Sequence, residues 1–378
     1  MTSRTRKWTA QARQPLRREG VGVFAWPAVF CAIILLSSCG GGGSSSTPTP
    51  TPTPTITLRQ AATPHGIVVS AAADSSHLSE TNYANVLGSE FSGLEPENEM
   101  KFDAVEQTQG IFTYTGPDQL VAFAQAHSMS VRGHTLVWHQ ALPAWVTSGG
   151  FSIAQLNDIL QTHIANEVGH YATKVYAWDV VNEAFNDDGT VRSTIWYDQP
   201  GIGFAGQGTK YIEQALDWAH TADPNAKLFY NDYGAEMINA KSNAIYAMAQ
   251  DFKTRGVPLD GIGFQFHIDL SFDNSTTLTS VASNFKRFAD LGMQVHITEL
   301  DIALNSSTAS AFNSQAKLYG ELATICAQQP ACTLFQTWGF TDKYSWIPAF
   351  RPGWGWALLW DAIYQKKPAY TSVVNAWK

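Results

Sequence analysis

From residue 56 onward, the hydrophobic pattern alternates between two kinds of segment. Short runs rich in β-branched and aromatic residues recur, and longer stretches with helical spacing follow them. The short runs are Gly66–Ala71, Phe91–Leu94, Ser130–Thr135, Val175–Val181, Lys227–Tyr230, Gly261–Phe266, Gln294–Thr298 and Thr333–Trp338. The clearest helical stretches are Gln155–His170 and Ala311–Gln328. Eight strand–helix units predict an α/β protein with a single (β/α)8 TIM barrel.

An open, doubly wound parallel sheet is the alternative for alternating strands and helices. Such sheets often bind phosphate groups at a glycine-rich turn after the first strand. No glycine-rich turn follows the first predicted strand of this chain, so the barrel is favoured.

Polar side chains concentrate at one end of seven of the eight predicted strands. In strand order, beginning with the second, they are Glu95 to Asn98, His134 with Trp138 and His139, Asn182-Glu183, Asn231 to Tyr233, Gln265 to His267, Glu299 to Asp301, and Trp338 with Thr341 and Asp342. Active sites of such barrels lie at the carboxyl ends of the strands. We therefore expect one polar cleft there.

Two carboxyl groups in this set suggest a reaction. Glu183 and Glu299 each close a mostly apolar predicted strand, where a charge is costly unless it is used or paired. Glycoside hydrolysis needs such a pair, one group to protonate the leaving oxygen and one to attack the sugar or activate water. The alternative is a pair of structural ion pairs, but basic residues are scarce near these strand ends, with Lys101 the clearest candidate.

Six segments resemble, in order, the motifs of the family 10 glycoside hydrolases, which are mainly endo-xylanases. They are Glu97–Lys101, Arg132–His139, Trp178–Glu183, Gly263–His267, Thr298–Asp301 and Trp338–Asp342. The resemblance runs from about residue 60 to the end of the chain. One such motif would be weak evidence, whereas six in register are specific.

The resemblance implies endo-hydrolysis of β-1,4-xylosidic linkages in xylan by a retaining double-displacement mechanism. Glu183 matches the acid/base, and Glu299 matches the nucleophile. The matching substrate-binding positions are Glu97, Asn98, Lys101, His134, Trp138, Asn182, Tyr233, Gln265, His267, Trp338 and Trp346. This chemistry requires a raised pKa at Glu183 and an ionised Glu299. It implies no cofactor and no metal.

Two positions depart from the family pattern. Gln140-Ala141 follows Trp138-His139, where the family usually has a small polar residue and then glutamine. Ile347 follows Trp346, where the family often has a basic residue. We expect these changes to alter sugar affinity rather than the reaction.

Three other functions are weaker interpretations. A metal-dependent hydrolase could use ligands from the set His134, His267, His296 and Asp301, but the first strand lacks the usual histidine pair and His77 is isolated. A non-catalytic sugar-binding barrel would have lost a carboxyl group, and both are present. Activity on cellulose or mixed-linkage glucan is disfavoured if bulky Trp338 and Trp346 exclude the hydroxymethyl group of glucose.

Composition and charge narrow the partners. The chain has 13 Trp, 13 Tyr and 20 Phe, which suit a packed core or sugar-stacking platforms. The formal net charge is −8, although the first 20 residues are basic, so the rest of the chain is more acidic than the total suggests. Such a surface repels nucleic acid and anionic lipid and suits a neutral substrate such as xylan.

The amino terminus reads as an export signal. A basic segment precedes an apolar run over residues 21–36, and Leu36-Ser37-Ser38-Cys39 resembles the lipobox of bacterial lipoproteins. The alternatives are an ordinary cleaved signal with an incidental Cys39 and, from Arg17-Arg18, twin-arginine export. A transmembrane helix is disfavoured because Pro27 interrupts a run shorter than the ~20 residues of a span.

These features predict three regions: residues 1–38 as a signal peptide, 39–55 as a Gly/Ser/Thr-Pro linker, and 56–378 as the catalytic barrel. The linker is either a spacer or a remnant beside a lost binding module. We expect an exported monomer, secreted or anchored to the bacterial surface, that touches the membrane only through a lipid on Cys39.

Two cysteines remain in the exported barrel. Cys326 and Cys332 are six residues apart, and such a pair in an oxidising compartment predicts a disulfide. Two free buried thiols are the alternative.

Overall fold

Eight parallel strands close into a barrel in the computed structural model, which describes residues 56–378. The strands are β1 Val68–Ala73, β2 Gly93–Pro96, β3 Ser130–Val137, β4 Val175–Asn182, β5 Lys227–Asp232, β6 Gly261–Phe264, β7 His267–Asp269, β8 Gln294–Ala303 and β9 Cys332–Thr337. Pairing of β1 with β9 and of β6 with β8 closes the ring, while the short β7 adds to β8 alone. The predicted TIM barrel is confirmed.

Helices alternate with the strands and cover the outside of the barrel. They are α1 Leu58–Ala62, α2 Thr81–Glu90, α3 Phe102–Val105, α4 Thr115–Ala126, α5 Ala144–Ser148, α6 Ile153–His170, α7 Lys210–Ala222, α8 Ala240–Arg255, α9 Ser275–Asp290, α10 Ala309–Gln328, α11 Ile347–Phe350 and α12 Pro368–Ala376. The two predicted helices, α6 and α10, start two residues earlier than expected because Ser152 and Thr308 cap them. Within residues 56–378, no helix combines the length and apolar character that a membrane span requires.

Close packing between β3 and β4 determines how these two strands, which carry polar residues, lie against each other. The strands are buried on both faces, as expected for a parallel sheet covered by helices. Gly133 of β3 lies opposite Trp178 of β4, and a Cβ atom at Gly133 would lie 2.2 Å from the Trp178 indole. Only glycine therefore allows this approach, which brings the neighbouring His134 against β4.

Two strand ends differ from the prediction in a way that matters for the cleft. The strand β8 continues to Ala303, because His267–Asp269 pairs with its last residues as β7. Glu299 therefore lies inside a strand rather than at its end. Strand β4 ends at Asn182, so Glu183 is the first residue beyond it. The first two strands begin two residues later than predicted.

A disulfide joins Cys326 near the end of α10 to Cys332 at the start of β9, with the Cα atoms 5.2 Å apart. It lies at the amino end of its strand, whereas the polar residues cluster at the carboxyl ends. The predicted signal segment 1–38, the lipidation site Cys39 and the linker 39–55 lie outside the described residues.

Candidate active site

Glu183 is held in a buried position by its backbone and by two amide side chains. Its backbone φ is 59°, in the left-handed region, and its N–H donates to the carbonyl of Asn231 at 2.9 Å. Its Oε1 accepts hydrogen bonds from Gln265 at 3.2 Å and Asn182 at 3.4 Å. Glu183 is only 8% exposed. Burial, and then the negative charge of Asp232, raise the pKa of Glu183, so its carboxyl retains a proton more readily.

Glu299 is equally enclosed but has strong donors. Its Oε1 accepts from Asn231 Nδ2 at 2.7 Å, and its Oε2 lies 3.0 Å from His267 Nε2. Burial alone would raise the pKa of Glu299. The hydrogen bond from His267 and the positive charges of His134 and His267 outweigh burial and lower that pKa, which favours the carboxylate.

His267 is charged because it lies between two carboxylates. Its Nδ1 is 2.8 Å from Asp301, whose Oδ2 also accepts from the indole N–H of Trp346 at 2.8 Å. Burial opposes a charge on His267, but Asp301 and then Glu299 raise the pKa of His267 to about 10. At neutral pH, His267 therefore donates to both carboxylates.

A network of amides connects the two glutamates. The Oδ1 of Asn182 accepts from Asn231 at 2.9 Å and from Gln265 at 3.2 Å. Asn231 also donates to Glu299, and Gln265 also donates to Glu183. Both carboxyl groups are therefore brought to one opening by strands β4, β5 and β8 and by Gln265, the residue after β6.

Aromatic and polar side chains at or just after the ends of β2, β3 and β9 border the same opening. The Nζ of Lys101 donates to Asn98 at 3.1 Å and lies 5.3 Å from the ring centre of Trp138 and 5.5 Å from that of Trp338. The ring of Trp338 in turn lies 5.3 Å from that of His134. These five predicted residues are therefore brought together.

Three other predicted substrate positions follow strand ends or pack against residues already described. Glu97 directly follows β2, and its backbone N–H donates to Ala73 at the end of β1 at 2.8 Å. The ring of Trp346 packs against His267, with ring centres 4.9 Å apart. Tyr233 follows β5, and its hydroxyl accepts from Arg192 at 3.1 Å.

A buried ion cluster below the opening was missed by the sequence reasoning. Arg132 donates to Glu95 at 2.6 Å and to both carboxylate oxygens of Asp179, and His134 Nδ1 lies 2.9 Å from Asp179. The position of Arg132 inside the otherwise apolar predicted strand Ser130–Thr135 could have indicated this cluster. Buried arginine needs such partners, because an unpaired charge would be costly.

This cluster is also the place where a metal could be considered. Ligand atoms of Glu95, His134 and Asp179 lie within 4.8 Å of one another, the one such group found among residues 56–378. The guanidinium of Arg132 already supplies positive charge to both carboxylates, so these residues fit an arginine better than an added metal ion. His296, considered above as a ligand, instead binds Thr333 at 3.0 Å.

A buried lysine beside Asp232 was missed as well. Lys241, in the first turn of α8, is 1% exposed and lies 2.7 Å from Asp232. Its Nζ is also 3.7 Å from the ring centre of Tyr233. The expectation that Lys101 is the clearest basic residue near the strand ends is therefore incomplete, because Lys241, nine residues beyond the end of β5, folds back against it.

The two departures from the family pattern have different surroundings. Ile347 is fully buried at the start of α11, so it packs in the core rather than facing the cleft. Ala141 has a φ of 50°, and its carbonyl accepts from the N–H of Asp103 at 2.9 Å. Gln140 Nε2 lies 3.4 Å from His139 Nε2.

A closed parallel barrel with two such carboxyl groups and aromatic residues at its carboxyl-end opening defines a glycoside hydrolase of the (β/α)8 class. Residues 57–376 match the family model described as glycosyl hydrolase family 10. This chain belongs to that family.

Named relatives and solved structures agree with this assignment. Endo-1,4-beta-xylanase B of Thermotoga neapolitana is 44% identical over 293 residues, which cover 77% of this chain and 82% of the relative. Endo-1,4-beta-xylanase C of Phanerodontia chrysosporium is 41% identical over 84% of this chain and 77% of its own length. The crystal structure of xylanase 10B from Thermotoga petrophila RKU-1 in complex with xylobiose has a TM-score of 0.81 and 41% identity, covering 86% of this chain and 98% of that one.

Proposed function

We propose that this protein is an endo-1,4-β-xylanase that cleaves xylan with retention of configuration at the anomeric carbon. The observation that carries the proposal is the pair Glu183 and Glu299, which share one hydrogen-bond network and have pKa values displaced in opposite directions. A retaining glycosidase needs one protonated and one ionised carboxyl group. The relatives named as endo-1,4-beta-xylanases and the similar structure with xylobiose support xylan as the substrate.

In the first step, Glu183 donates its proton to the glycosidic oxygen while Glu299 attacks the anomeric carbon. The bond to the leaving sugar breaks, and a covalent glycosyl–enzyme forms on Glu299. Asn231 and His267 donate hydrogen bonds to Glu299 at 2.7 Å and 3.0 Å, and these bonds favour an ionised Glu299 before the attack. We assign Asn182 to the 2-hydroxyl of the reacting sugar.

In the second step, Glu183 acts as a base. Esterification of Glu299 removes one negative charge from the site, so the pKa of Glu183 falls. The Glu183 carboxylate can then take a proton from water as the water oxygen attacks the anomeric carbon. Glu299 leaves as a carboxylate, and the two displacements together restore the original anomeric configuration.

Substrate selectivity depends on the side chains around the opening. We assign substrate contacts to Glu97, Asn98, Lys101, His134, Trp138, Tyr233, Gln265, His267, Trp338 and Trp346. Because xylose lacks the hydroxymethyl group of glucose, cover by Trp338 and Trp346 should exclude a glucan more than a xylan. Faster hydrolysis of xylan than of carboxymethylcellulose is expected, and equal rates would contradict the xylan assignment.

The roles of the two glutamates are tested with the variants Glu183→Ala and Glu299→Ala and product analysis by NMR. Wild-type enzyme should first release the β-anomer of the new reducing end. Azide should rescue Glu183→Ala on an activated aryl xylobioside and yield a β-glycosyl azide, because azide needs no base to attack the intermediate. Azide that rescues Glu299→Ala should instead yield the α-azide. Glu321→Ala, at a partly exposed position on α10, is the control.

Retained wild-type rates in either variant, or an α-anomer as the first product of the wild-type enzyme, would contradict the mechanism.

The amino-terminal assignments complete the proposal. We infer that residues 1–38 direct export, that Cys39 carries a lipid, and that residues 39–55 hold the monomeric barrel of residues 56–378 away from the membrane. Expression of Cys39→Ala in a Gram-negative bacterial host should abolish labelling by a fatty acid. Equal absence of labelling in the wild-type protein would favour an ordinary cleaved signal. Light scattering of the barrel should give one chain per particle.

A further inference from the structure

The backbone of Glu183 is in an unfavourable conformation. At a φ of 59°, a residue with a Cβ atom is strained, and such a conformation persists only where the surroundings hold it. Glycine would remove the strain but would also remove the carboxyl group. The groups that hold this peptide therefore decide where the Glu183 side chain points.

The Glu183 N–H donates to the Asn231 carbonyl and the Ala184 N–H donates to the Tyr230 hydroxyl, both at 2.9 Å, while Arg192 binds the carbonyl side. Its Nε donates to the carbonyl of Glu183 at 2.9 Å, and its Nη2 donates to the carbonyl of Phe185 at 3.1 Å. The backbone N–H of Arg192 donates to the carbonyl of Ala184 at 2.7 Å. One residue thus binds three consecutive carbonyl groups, and its Nη2 also donates to the Tyr233 hydroxyl at 3.1 Å.

Acidic residues of the same loop have other contacts. Asp188 accepts from the hydroxyl and the N–H of Thr190, and Asp187 lies 3.7 Å from Lys241. The Nε and Nη2 atoms of Arg192, by contrast, donate to backbone carbonyls and to a tyrosine hydroxyl. A planar guanidinium can serve several acceptors at once, which a lysine ammonium does with less geometric control.

We propose that Arg192 is a positioning residue that fixes the peptide of Glu183 and thereby aims its carboxyl group at the glycosidic oxygen. The bond to Tyr233 ties this peptide to a side chain assigned to substrate contact. The inference rests on the proposed role of Glu183 as acid/base.

The test compares two aryl β-xylobiosides in the variants Arg192→Met and Arg192→Lys. A dinitrophenyl group leaves without protonation, whereas an unsubstituted phenyl group needs the acid. The measured quantity is the ratio of kcat/KM for the two substrates on one enzyme preparation. Any inactive fraction cancels in this ratio, so partial misfolding cannot imitate the result. Arg255→Met, at an arginine on α8 that binds Asp251 and Glu213, is the matched control.

For Arg192→Met, we expect kcat/KM for the phenyl substrate to fall roughly 10- to 100-fold, part of the contribution of general acid catalysis, and that for the dinitrophenyl substrate to fall less than about threefold. Arg192→Lys should change the ratio in the same direction by a smaller factor, and Arg255→Met should leave it unchanged. An unchanged ratio in Arg192→Met, including equal losses for both substrates, would overturn the positioning role.

The variant Glu183→Ala separates this inference from the function on which it rests. It should change the ratio more than any Arg192 variant does. If Glu183→Ala leaves the ratio unchanged, the acid/base assignment itself fails. If Glu183→Ala changes the ratio and Arg192→Met does not, only the role of Arg192 is overturned.

Discussion

Glu183 and Glu299 lie at the same opening and are buried to a similar extent, 8% and 4% exposed. Around Glu183, the side-chain donors are neutral groups, namely the indole of Trp138 and the amides of Gln265 and Asn182, and the carboxylate of Asp232 is nearby. Around Glu299, a charged histidine, His267, donates directly. The pKa is raised in the first case and lowered in the second.

The difference shows that burial does not by itself assign roles to a pair of carboxyl groups. Burial raises the pKa of both residues, and the sign of the net displacement depends on the neighbours. Asp301 and Trp346 orient His267 on one side. On the other side, burial raises the pKa of Asp232, and Lys241 at 2.7 Å opposes that effect.

The largest effect should come from exchanging each glutamate for its amide. We expect Glu299→Gln to lower the rate on xylan by more than about 10⁴-fold, because no covalent intermediate can form. Glu183→Gln should lower it by roughly 10²- to 10⁴-fold, the usual contribution of general acid–base catalysis. Initial rates of reducing-sugar release measure both, with Glu321→Gln as the control. A larger loss for Glu183→Gln with an activated aryl substrate would reverse the two assignments.

The next largest effect should come from His267→Asn, which removes the charged donor to Glu299. The pKa of Glu299 should rise, so the ionised form is lost at a higher pH and the acid limb of kcat/KM moves upward. We also expect a rate loss of roughly 10- to 100-fold at neutral pH. A pH–rate profile against His220→Asn, at an exposed position on α7, measures the shift. An unmoved acid limb would mean that His267 does not control Glu299.

A smaller change should follow Asp232→Asn, which removes the negative charge beside Glu183. The pKa of Glu183 should then fall, so its proton is lost at a lower pH and the alkaline limb moves downward by less than about one pH unit. Buried Lys241 would lose its carboxylate at 2.7 Å and keep only Asp187 at 3.7 Å, so the melting temperature should also fall. Asp260→Asn is the control, since Asp260 pairs with Lys227 at the amino end of β5. An upward shift of the alkaline limb would contradict the electrostatic explanation.

The smallest effect on activity should come from the double variant Cys326→Ser/Cys332→Ser. The disulfide closes a short loop at the end of the barrel away from the cleft, so its loss should cost about 2 kcal/mol of unfolding free energy. Thermal unfolding should show a melting temperature lower by several degrees. Rates on xylan at 25 °C should stay within about twofold of the wild type, and a larger loss would show coupling between the two ends of the barrel.

Much of the cleft could be predicted because parallel strands bring their carboxyl ends to one side. Asn182, Gln265 and Glu299 needed only their place after an apolar run to be recognised as neighbours in space. The extension of β8 past Glu299 could not be predicted, because it depends on pairing between His267 and Asp301, which are distant in sequence.

Arg192 and Lys241 were missed for the same physical reason. Arg192 is nine residues beyond Glu183 and Lys241 is nine beyond Asp232, each across a loop whose course the residue pattern does not specify. In the sequence pattern alone, Arg192 and Lys241 cannot be distinguished from ordinary charged surface residues.

By itself, the sequence determined the barrel and the family and pointed to two candidate glutamates, because strand periodicity and the order of motifs are local properties of the chain. The family resemblance implied a raised pKa at Glu183 and an ionised Glu299, and only the tertiary structure decided which neighbouring groups produce the two displacements. That outcome depends on the distances from each carboxyl group to charges and donors on other strands, and such distances exist only after the barrel closes.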